Sequence, residues 1–327
     1  MRLFAGRLRG AEELGHVIPV IMPPSVSVVV CTRDRPAHLE NCLRAAQKLR
    51  YPNFEILVVN NRSSETQILE MAGQFHARYV YVPKPGLSIA RNAGARASSA
   101  EIIAYLDDDS LPEPHWLDHL VQEFRNPNVL AVAGRIEPVS VETEAELFCE
   151  EMSPPAEERR RRLSVDRNTA DWFAIANFGG IGIGCNMAFR REAWSIWPGF
   201  DERLGRGACI GGSEEHFAFF SLIDKGYCVV YCPDAVVQHP YLHSMEGLRE
   251  RYLKDKAEAT AYASLLFFEF PQYRKALIRI LIARWKRSPR AWRERRRLPG
   301  RIAPKWRVLI ALLWGPVVYL KTRTSKT

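Results

Sequence analysis

The sequence lacks the glycine-rich phosphate-binding motifs of two large classes of enzyme. No GxxxxGK[ST] motif occurs in the 327 residues, and no GxGxxG motif follows the first predicted strand. In both motifs, backbone N–H groups of a glycine-rich turn contact the phosphates of a nucleotide. Their absence counts against a P-loop ATPase and against a Rossmann-type dehydrogenase.

Long apolar segments are also missing. The apolar run at residues 308–320 has 13 residues and is interrupted by Gly315 and Pro316, whereas a membrane-spanning helix needs about 20 apolar residues. The N-terminal residues, MRLFAGRLRGAEELGHV, contain no apolar core of a secretory signal peptide. We therefore expect no export by that route.

Cysteine is sparse and scattered. Of the seven cysteines, Cys228 and Cys232 have neither the spacing of a thioredoxin motif nor that of a zinc ribbon. Cys31, Cys185 and Cys228 lie in apolar runs, where a free thiol behaves as a small hydrophobic side chain. We expect reduced cysteines, which favours a cytoplasmic location.

Negative charge is scarce at the C-terminal end. Residues 271–327 contain 17 Lys and Arg against one acid, Glu294, while the whole chain carries a net charge of +9. The remaining residues therefore sum to −7. A basic region of this kind predicts an anionic partner, and since no nucleic-acid-binding motif occurs, a membrane surface is favoured over nucleic acid.

Apolar, β-branched runs alternate with segments of helical spacing, and 47% of all residues are hydrophobic. The predicted strands cover residues 25–32, 55–61, 78–83, 101–107, 130–139 and 228–239. Continuous apolar strands are typical of a sheet covered on both faces. The alternation predicts an α/β fold, with a mostly parallel sheet and flanking crossover helices.

Three regions follow from this pattern. We predict a leader over residues 1–24, an α/β domain over residues 25–240 and a basic, partly amphipathic helical region over residues 241–327. Within the domain, residues 142–162 run from acids through two prolines to four arginines. We interpret that segment as a solvated surface insertion, the alternative being a flap over the site.

Three of the predicted strands end in clusters of polar residues. These are Thr32, Arg33 and Asp34 after the first strand, Asn60 and Asn61 after the second, and Asp107, Asp108 and Asp109 after the fourth. In open parallel sheets, ligands bind beyond the carboxyl ends of the strands. We expect the three clusters to meet at one edge of the sheet.

The three adjacent aspartates predict a metal site. Like charges a few ångströms apart resist full ionisation, and a divalent cation relieves their repulsion. Carboxylate oxygens are hard ligands that suit Mg²⁺ or Mn²⁺, and these ions also bind substrate phosphates. The alternative is an acidic cap on the next helix.

Four further residues are candidates for the site. Arg91, in the segment GLSIARNAG, offers donors for a phosphate or a base edge, although the segment also fits a packed helix start. Glu214 and Glu215 begin a predicted helix over residues 213–225, either as helix-capping charges or with one of them as a general base. His239 ends a strand, as a metal ligand or as a polar strand end.

Six blocks of the sequence resemble glycosyltransferase family 2. In chain order they are SVSVVVCTRDRP, EILVVNNRSSET, GLSIARNAG, EIIAYLDDDSLPEPHWL, GCNMAFRREAW with GFDERLG, and GSEEHFAFFSLIDKGY. They follow the family's order and spacing over roughly residues 25–240. The resemblance implies a catalytic domain of the GT-A (Rossmann-like) fold, a nucleotide-diphosphate-sugar donor and inversion at the anomeric carbon.

The resemblance also implies roles for single residues. The predicted donor or nucleotide contacts are Thr32, Arg33, Asp34, Asn60, Arg91, Asp107 and Asp108. Asp107 and Asp109 match the family's DxD element, with Asp109 the direct ligand of Mn²⁺ or Mg²⁺, and His239 completes the predicted metal ligands. Glu215, with Glu214 as the alternative, matches the catalytic carboxylate that deprotonates the acceptor hydroxyl.

The sequence departs from the family's pattern at four positions. Asn60 stands where an Asp usually contacts the base, and Arg33 replaces a common aromatic, so the donor nucleotide stays open. Phe217 and Ser221 replace an acid and an arginine, which makes the acceptor region atypical. The QxxRW signature of processive synthases is absent, which favours transfer of one sugar at a time.

The C-terminal region lies outside the resemblance. Residues 277–287 mix apolar and basic positions at helical spacing, and basic residues flank the apolar run at residues 308–320. This pattern predicts interfacial attachment to anionic lipid at the inner face of the cell membrane. The alternative is a helix packed on the body of the protein.

The predicted function is metal-assisted, non-processive transfer of a sugar to a lipid-linked or polysaccharide acceptor by a cytoplasmic, membrane-peripheral enzyme. One alternative is a sugar-phosphate nucleotidyltransferase, which would need a Gly-rich phosphate loop where CTRDRP follows the first strand. Another is a non-catalytic nucleotide-sugar-binding or scaffold protein. Asp107, Asp109 and Glu215 count against the scaffold, while Asn60 leaves room for it.

Overall fold

The computed structural model describes residues 22–62, 65–283 and 302–324. Most of the predicted leader, residues 1–21, lies outside the described residues, as do residues 284–301 and 325–327 of the basic region. The expectations for those segments, including the end of the amphipathic stretch at residues 277–287, stay predictions.

Strands and helices alternate through the described part of the chain. The strands are β1 Val26–Thr32, β2 Phe54–Asn60, β3 Arg78–Tyr81, β4 Ile102–Asp107, β5 Leu111–Pro112, β6 Val129–Pro138, β7 Leu163–Val165, β8 Asn186–Arg190 and β9 Cys228–His239. The helices are α1 Pro36–Ala46, α2 Glu65–Gln74, α3 Leu87–Ala97, α4 Trp116–Glu123, α5 Glu144–Met152, α6 Ala156–Arg159, α7 Trp172–Asn177, α8 Ala193–Ile196, α9 Glu214–Asp224, α10 Met245–Glu269 and α11 Lys305–Thr324. Between α10 and α11, a 3₁₀ turn at Pro271–Tyr273 leads into a helical stretch over residues 274–283.

The strands form one sheet in the order β3-β2-β1-β4-β8-β6-β9-β5, with β7 beside β9. The first four strands are parallel, and β6 is parallel to β9, while β8 lies antiparallel between β4 and β6. The predicted α/β fold with a mostly parallel central sheet is confirmed. One edge therefore collects the carboxyl ends of the parallel strands and the amino end of β8. We call it the carboxyl edge, marked by Thr32, Asn60, Asp107, Asn186 and His239.

Two apolar cores cover the two faces of the sheet. Val28 and Val30 of β1 pack on one face with side chains of α1, and Val29 and Cys31 pack on the other face with side chains of α3. Successive side chains of a strand point to opposite faces. The continuous apolar run of β1 is thus required by burial on both sides.

The close packing of α3 on the sheet gives a testable prediction at Gly94. A Cβ there would lie 2.5 Å from Cγ1 of Val29 and 3.3 Å from Cγ2 of Val59. Overpacking costs about 1–3 kcal/mol. Gly73→Ala in α2 is the matched control, because its Cβ would meet nothing within 4 Å and the gain in helix propensity is the same. Urea unfolding should show Gly94→Ala to be the less stable variant by about 1–3 kcal/mol. Equal stability would contradict the packing.

The segment predicted as an insertion or flap forms α5 and α6. Thr143 and Glu146 close a capping box at the start of α5, and Glu146 pairs with Nδ1 of His243 at 2.7 Å. Farther along, Arg159 donates to Glu150 at 2.6 Å. The segment therefore has defined contacts, and its residues 151–162 are mostly exposed, as expected for a surface insertion.

The predicted apolar run lies within α11, which packs on α10. The contact is close: a Cβ on Gly315 would lie 2.0 Å from Oγ1 of Thr260 and 2.5 Å from the carbonyl oxygen of Ala257. Tyr319 is buried, and its hydroxyl donates to Glu269 at 3.2 Å. Within the described ranges, no helix is both long and apolar enough to cross a membrane.

Packing on α10 covers only part of α11. Six large apolar side chains stay at least half exposed, and we call them the apolar face of α11: Trp306, Leu309, Ile310, Leu313, Trp314 and Leu320. The packing on α10 matches the alternative of a helix packed on the body, and attachment to anionic lipid stays a prediction. The helix packs on the body and still presents a large apolar surface.

Candidate active site

The three aspartates form a turn at the carboxyl edge, directly after β4. The turn is closed by the backbone N–H of Ser110, which donates to the carbonyl of Asp107 at 3.1 Å. The next two residues form β5, which pairs with Val237 and Gln238 of β9. This pairing brings His239, the last residue of β9, beside the aspartates.

Asp108 points into the protein rather than toward solvent. It is 4% exposed and accepts hydrogen bonds from the hydroxyl of Thr32 at 2.8 Å and from Arg35 at 2.7 Å. Burial raises the pKa of Asp108 to about 6, against the opposing effects of Thr32 and Arg35. In this structure Asp108 and Thr32 join the ends of β4 and β1, and their predicted contact with the donor stays a prediction.

Asp109 lies between Arg35 and His239. Its Oδ2 accepts from Arg35 at 2.6 Å, and its Oδ1 lies 3.1 Å from Nε2 of His239. Burial opposes ionisation, but His239 and Arg35 outweigh it and hold the pKa of Asp109 well below its ordinary value. Burial likewise lowers the pKa of His239, yet Asp109 reverses that effect and raises it overall. The carboxylate thus stays charged and attracts cations.

The donor set suits a divalent cation. Oδ1 of Asp109 is buried without a well-aligned hydrogen-bond donor, which leaves an oxygen for a metal ion. One ligand atom each of Asp107, Cys185 and His239 lies within 4.8 Å of the other two. Carboxylate oxygens and imidazole are common ligands of Mn²⁺-type ions. The cluster contains two of the predicted metal ligands, Asp107 and His239, together with Cys185, and Asp109 as a direct ligand stays a prediction.

Arg91 links the aspartate turn to the start of α9. The side chain is 2% exposed and donates to Asp107 Oδ1 at 3.1 Å, to Glu214 Oε1 at 2.7 Å and to the carbonyl of Gly184 at 2.9 Å. Its guanidinium is thus engaged by protein groups. A direct contact of Arg91 with a base or phosphate stays a prediction. Its observed contacts hold the carboxylates of Asp107 and Glu214 in position.

Glu214 and Glu215 start α9 after a strained turn. Ser213 has a φ of 68°, in the left-handed region, and both glutamates are buried. Burial and the charge of Glu215 raise the pKa of Glu214, against the opposing charge of Arg91. Since Arg91 binds Glu214, the carboxylate of Glu215 is the one left for a substrate. The predicted catalytic role of either residue has yet to be tested.

The two asparagines after β2 have different positions. Asn60 is fully buried, and its Nδ2 donates to the hydroxyl of Tyr79 at 3.1 Å. Asn61 accepts from the backbone N–H of Gly86 and donates to the carbonyl of Lys84, both at 2.8 Å. Asn61 thereby shapes the loop that leads into α3, whereas Asn60 lies at the carboxyl edge where we predict the base.

Arg33 and Asp34 lie at the exposed rim of the site. Both side chains are about half exposed or more, and their charged atoms are 3.7 Å apart. Nη1 of Arg33 lies over the backbone of Gly207, 3.8 Å from where a Cβ of that residue would stand. Their position leaves them accessible to a nucleotide, and that contact remains a prediction.

Sequence reasoning missed two residues of this site. Arg35 pairs with both Asp108 and Asp109, and Cys185 lies next to Asp107 and His239. Arg35 stands inside the block CTRDRP, so an arginine at the end of the first strand was the available signal. Cys185 carried no such signal, because an apolar neighbourhood made its thiol look like a core side chain.

Comparisons with known proteins show which family and fold the chain resembles. The family model described as glycosyl transferase family 2 matches residues 27–197. The glucosyl-dolichyl phosphate glucuronosyltransferase of Haloferax volcanii is 27% identical over 192 residues, 55% of this chain and 57% of that protein. The succinoglycan biosynthesis protein ExoM of Rhizobium meliloti is 27% identical over 224 residues, 66% of each chain. The chain thus spans less than two thirds of the length of these curated relatives.

Among solved structures, the chain resembles the mannosyltransferase PcManGT from Pyrobaculum calidifontis, determined in complex with GDP-Man and Mn²⁺. The TM-score is 0.56 at 18% identity, and the match covers 92% of this chain and 75% of that one. At this identity the likeness shows the fold. The GT-A fold implied by the sequence resemblance is confirmed.

Proposed function

The chain belongs to glycosyl transferase family 2, and on that premise we propose that it transfers a sugar from a nucleotide-diphosphate-sugar to a lipid-linked or polysaccharide acceptor. The observation that carries the proposal is the arrangement at the carboxyl edge. A cation-attracting group, Asp109 with His239, lies at one end, and Glu214 and Glu215 lie at the other. Buried Arg91 joins the two ends. Arg91 therefore holds the groups proposed to act on the donor and those proposed to act on the acceptor in fixed positions relative to each other.

The diphosphate end of the donor belongs at the aspartate turn. We propose that Asp109 and His239, with Asp107, hold Mn²⁺ or Mg²⁺ there. When bound, the ion would supply positive charge to offset the charge that builds up on the departing diphosphate. Arg35 is half exposed beside Asp109 and adds a second positive charge near the same position. PcManGT, the structural relative solved with GDP-Man and Mn²⁺, supports this assignment.

The nucleotide end belongs at the exposed rim. Arg33 and Asp34 are accessible there, and the Arg33 guanidinium can stack on a base. Asn60 stands at the carboxyl end of β2, where the family usually has an aspartate. An amide both donates and accepts hydrogen bonds, whereas a carboxylate only accepts. We therefore propose that Asn60 changes the choice of base relative to the family's usual donor.

The acceptor end belongs at the start of α9. We propose Glu215 as the general base that takes the proton of the acceptor hydroxyl while that oxygen attacks the anomeric carbon from the face opposite the diphosphate. Attack from the opposite face inverts the configuration. Glu214 is a positioning residue, because Arg91 fixes it and thereby fixes the first turn of α9.

Helix α10 connects the acceptor end with α11. Glu258 of α10 reaches the turn before Glu215, since a Cβ on Gly211 would lie 2.1 Å from its Oε1. One turn of α10 also contacts Gly315 of α11, through Ala257 and Thr260. We propose that α11 rests on the inner face of an anionic membrane. The acceptor is presented there and receives one sugar at a time.

Vesicle binding tests the membrane surface. The double variant Leu309→Glu with Leu313→Glu should weaken binding to vesicles containing phosphatidylglycerol by at least about tenfold. Each of these leucines is about half exposed, and its burial in lipid contributes about 1 kcal/mol to the binding free energy. Sedimentation with vesicles measures the affinity. Leu69→Glu in α2, also about half exposed, is the control and should leave the affinity unchanged. Equal binding by the double variant and the control would remove α11 from the interface.

Product release tests the transfer itself. The protein should release nucleoside diphosphate from at least one nucleotide-sugar in a panel, and Mn²⁺ should increase the rate. Pyrophosphate released from a nucleoside triphosphate would instead indicate a nucleotidyltransferase. Neither turnover nor donor binding with any donor would indicate a scaffold.

A further inference from the structure

Cys185 lies at the metal end of the site, and the proposed transfer does not use it. The residue stands just before β8, at the carboxyl edge, and is 4% exposed. Its Sγ lies within 4.8 Å of a carboxylate oxygen of Asp107 and of a ring nitrogen of His239. The side chains of Asp107 and His239 are each about 30% exposed, so an ion can reach the three ligands from solvent.

We propose that Asp107, Cys185 and His239 form a second cation site, selective for soft divalent ions such as Zn²⁺ or Cd²⁺. Thiolate, imidazole and carboxylate together are the ligand set of tetrahedral zinc, with a fourth position left for water. Zinc ligands at about 2.0–2.3 Å from the ion lie roughly 3.3–3.8 Å from one another. The three ligand atoms lie no more than 4.8 Å apart, so side-chain movements of at most roughly 1.5 Å bring them to zinc-binding distances.

The sulfur decides which ion the site takes. Arg91 already pairs with Oδ1 of Asp107 at 3.1 Å, so this carboxylate attracts a hard cation less than a free one would. A soft ion gains the thiolate bond in addition, whereas Mn²⁺ and Mg²⁺ favour oxygen ligands. The oxygen of Asp109 without a hydrogen-bond donor lies 3.1 Å from Nε2 of His239 and serves the hard ion.

Asp107 and His239 belong to both ligand sets, so the two ions exclude each other. With zinc bound to Cys185, these two side chains are taken from the hard-metal site. Zinc or cadmium should consequently displace Mn²⁺ from the protein. The inference concerns metal binding alone and holds whether or not the chain transfers a sugar.

Metal-binding measurements on the full chain test the site. Co²⁺ should give a near-ultraviolet thiolate-to-metal charge-transfer band, and Zn²⁺ should raise the free Mn²⁺ signal in electron paramagnetic resonance. Cys185→Ser should abolish the band and weaken Zn²⁺ binding at least about tenfold, measured by competition with a chromophoric chelator. Mn²⁺ affinity of this variant should stay within about twofold. Cys209→Ser, at an exposed thiol, is the control and should keep the wild-type values.

The first two measurements need no variant, so a misfolded Cys185→Ser would not hide the answer. A Co²⁺ complex without a thiolate band would overturn the inference. So would simultaneous binding of Zn²⁺ and Mn²⁺ without competition. A band that disappears in Cys209→Ser and persists in Cys185→Ser would assign the soft-metal site to the exposed thiol and contradict the proposal equally.

Discussion

Glu215→Gln should lower the rate of sugar transfer by about 10²-fold or more while leaving donor affinity unchanged. The glutamine keeps the shape of the side chain and cannot accept the proton of the acceptor hydroxyl. Because Arg91 holds Glu214 and not Glu215, the substitution leaves the frame of the site intact. Steady-state kinetics gives the rate, and calorimetric titration gives the donor affinity.

Glu214→Gln is the matched control for this prediction. Its amide oxygen can still accept from Arg91, so transfer should fall by less than about tenfold. Thermal unfolding of both variants checks that the start of α9 is intact. If Glu214→Gln lost most of the activity and Glu215→Gln kept it, the general base would be Glu214.

Asp109→Ala should abolish the Mn²⁺-dependent part of donor affinity. The substitution removes the oxygen without a hydrogen-bond donor and the charge beside His239. Without that carboxylate, the dissociation constant of the donor in Mn²⁺ should approach its value in EDTA, an increase of at least about tenfold. Calorimetric titration of the same nucleotide-sugar in both buffers measures the difference.

Two further variants separate charge from shape. Asp109→Asn keeps an oxygen for Arg35 but loses the charge, and it should lose metal dependence as Asp109→Ala does. Asp118→Asn, on α4, lines a cavity with Pro24 and Ile102 at the opposite edge of the sheet and should bind the donor normally. Unchanged metal dependence in Asp109→Ala would remove this residue from the metal site.

Strands that are buried on both faces were predictable, because each needs a run of consecutive apolar residues that is visible in the sequence. Runs such as SVSVVVCT and EIIAYLD have apolar side chains at consecutive positions, and they became β1 and β4 with ends shifted by one residue. β8, Asn186–Arg190, was not among the predicted strands, and its direction left no local pattern either. A strand pairs parallel or antiparallel according to how distant segments pack, and the β8 sequence is equally apolar in either direction. The antiparallel insertion between β4 and β6 was therefore not foreseen.

The edge was predicted more accurately than the contacts on it. The ends of β1, β2 and β4 meet as parallel pairing requires, since Thr32 pairs with Asn60 and Cys31 pairs with Asp107. Which way each side chain points could not be predicted, since the turn after β4 directs successive aspartates differently. Asp108 turns inward to Thr32, and Asp109 turns toward His239.

The contacts of Asp109 could not be predicted from the sequence for a second reason. His239 is 130 positions away in the chain, and the two-residue strand β5 brings it close by pairing with the end of β9. A strand of two residues has no periodicity to detect. Arg35 was overlooked for a related cause, because its partners lie more than 70 residues away.

The central claim is that the diphosphate of a nucleotide-sugar is held through a divalent ion at the aspartate turn. A crystal grown with Mn²⁺ and a nucleoside diphosphate tests it directly, through the anomalous scattering of manganese. We expect a single strong peak within about 2.5 Å of Asp109 and of Nε2 of His239, with diphosphate oxygens completing the coordination. A diphosphate bound at the carboxyl edge with no manganese peak, or a peak away from Asp109, would contradict it.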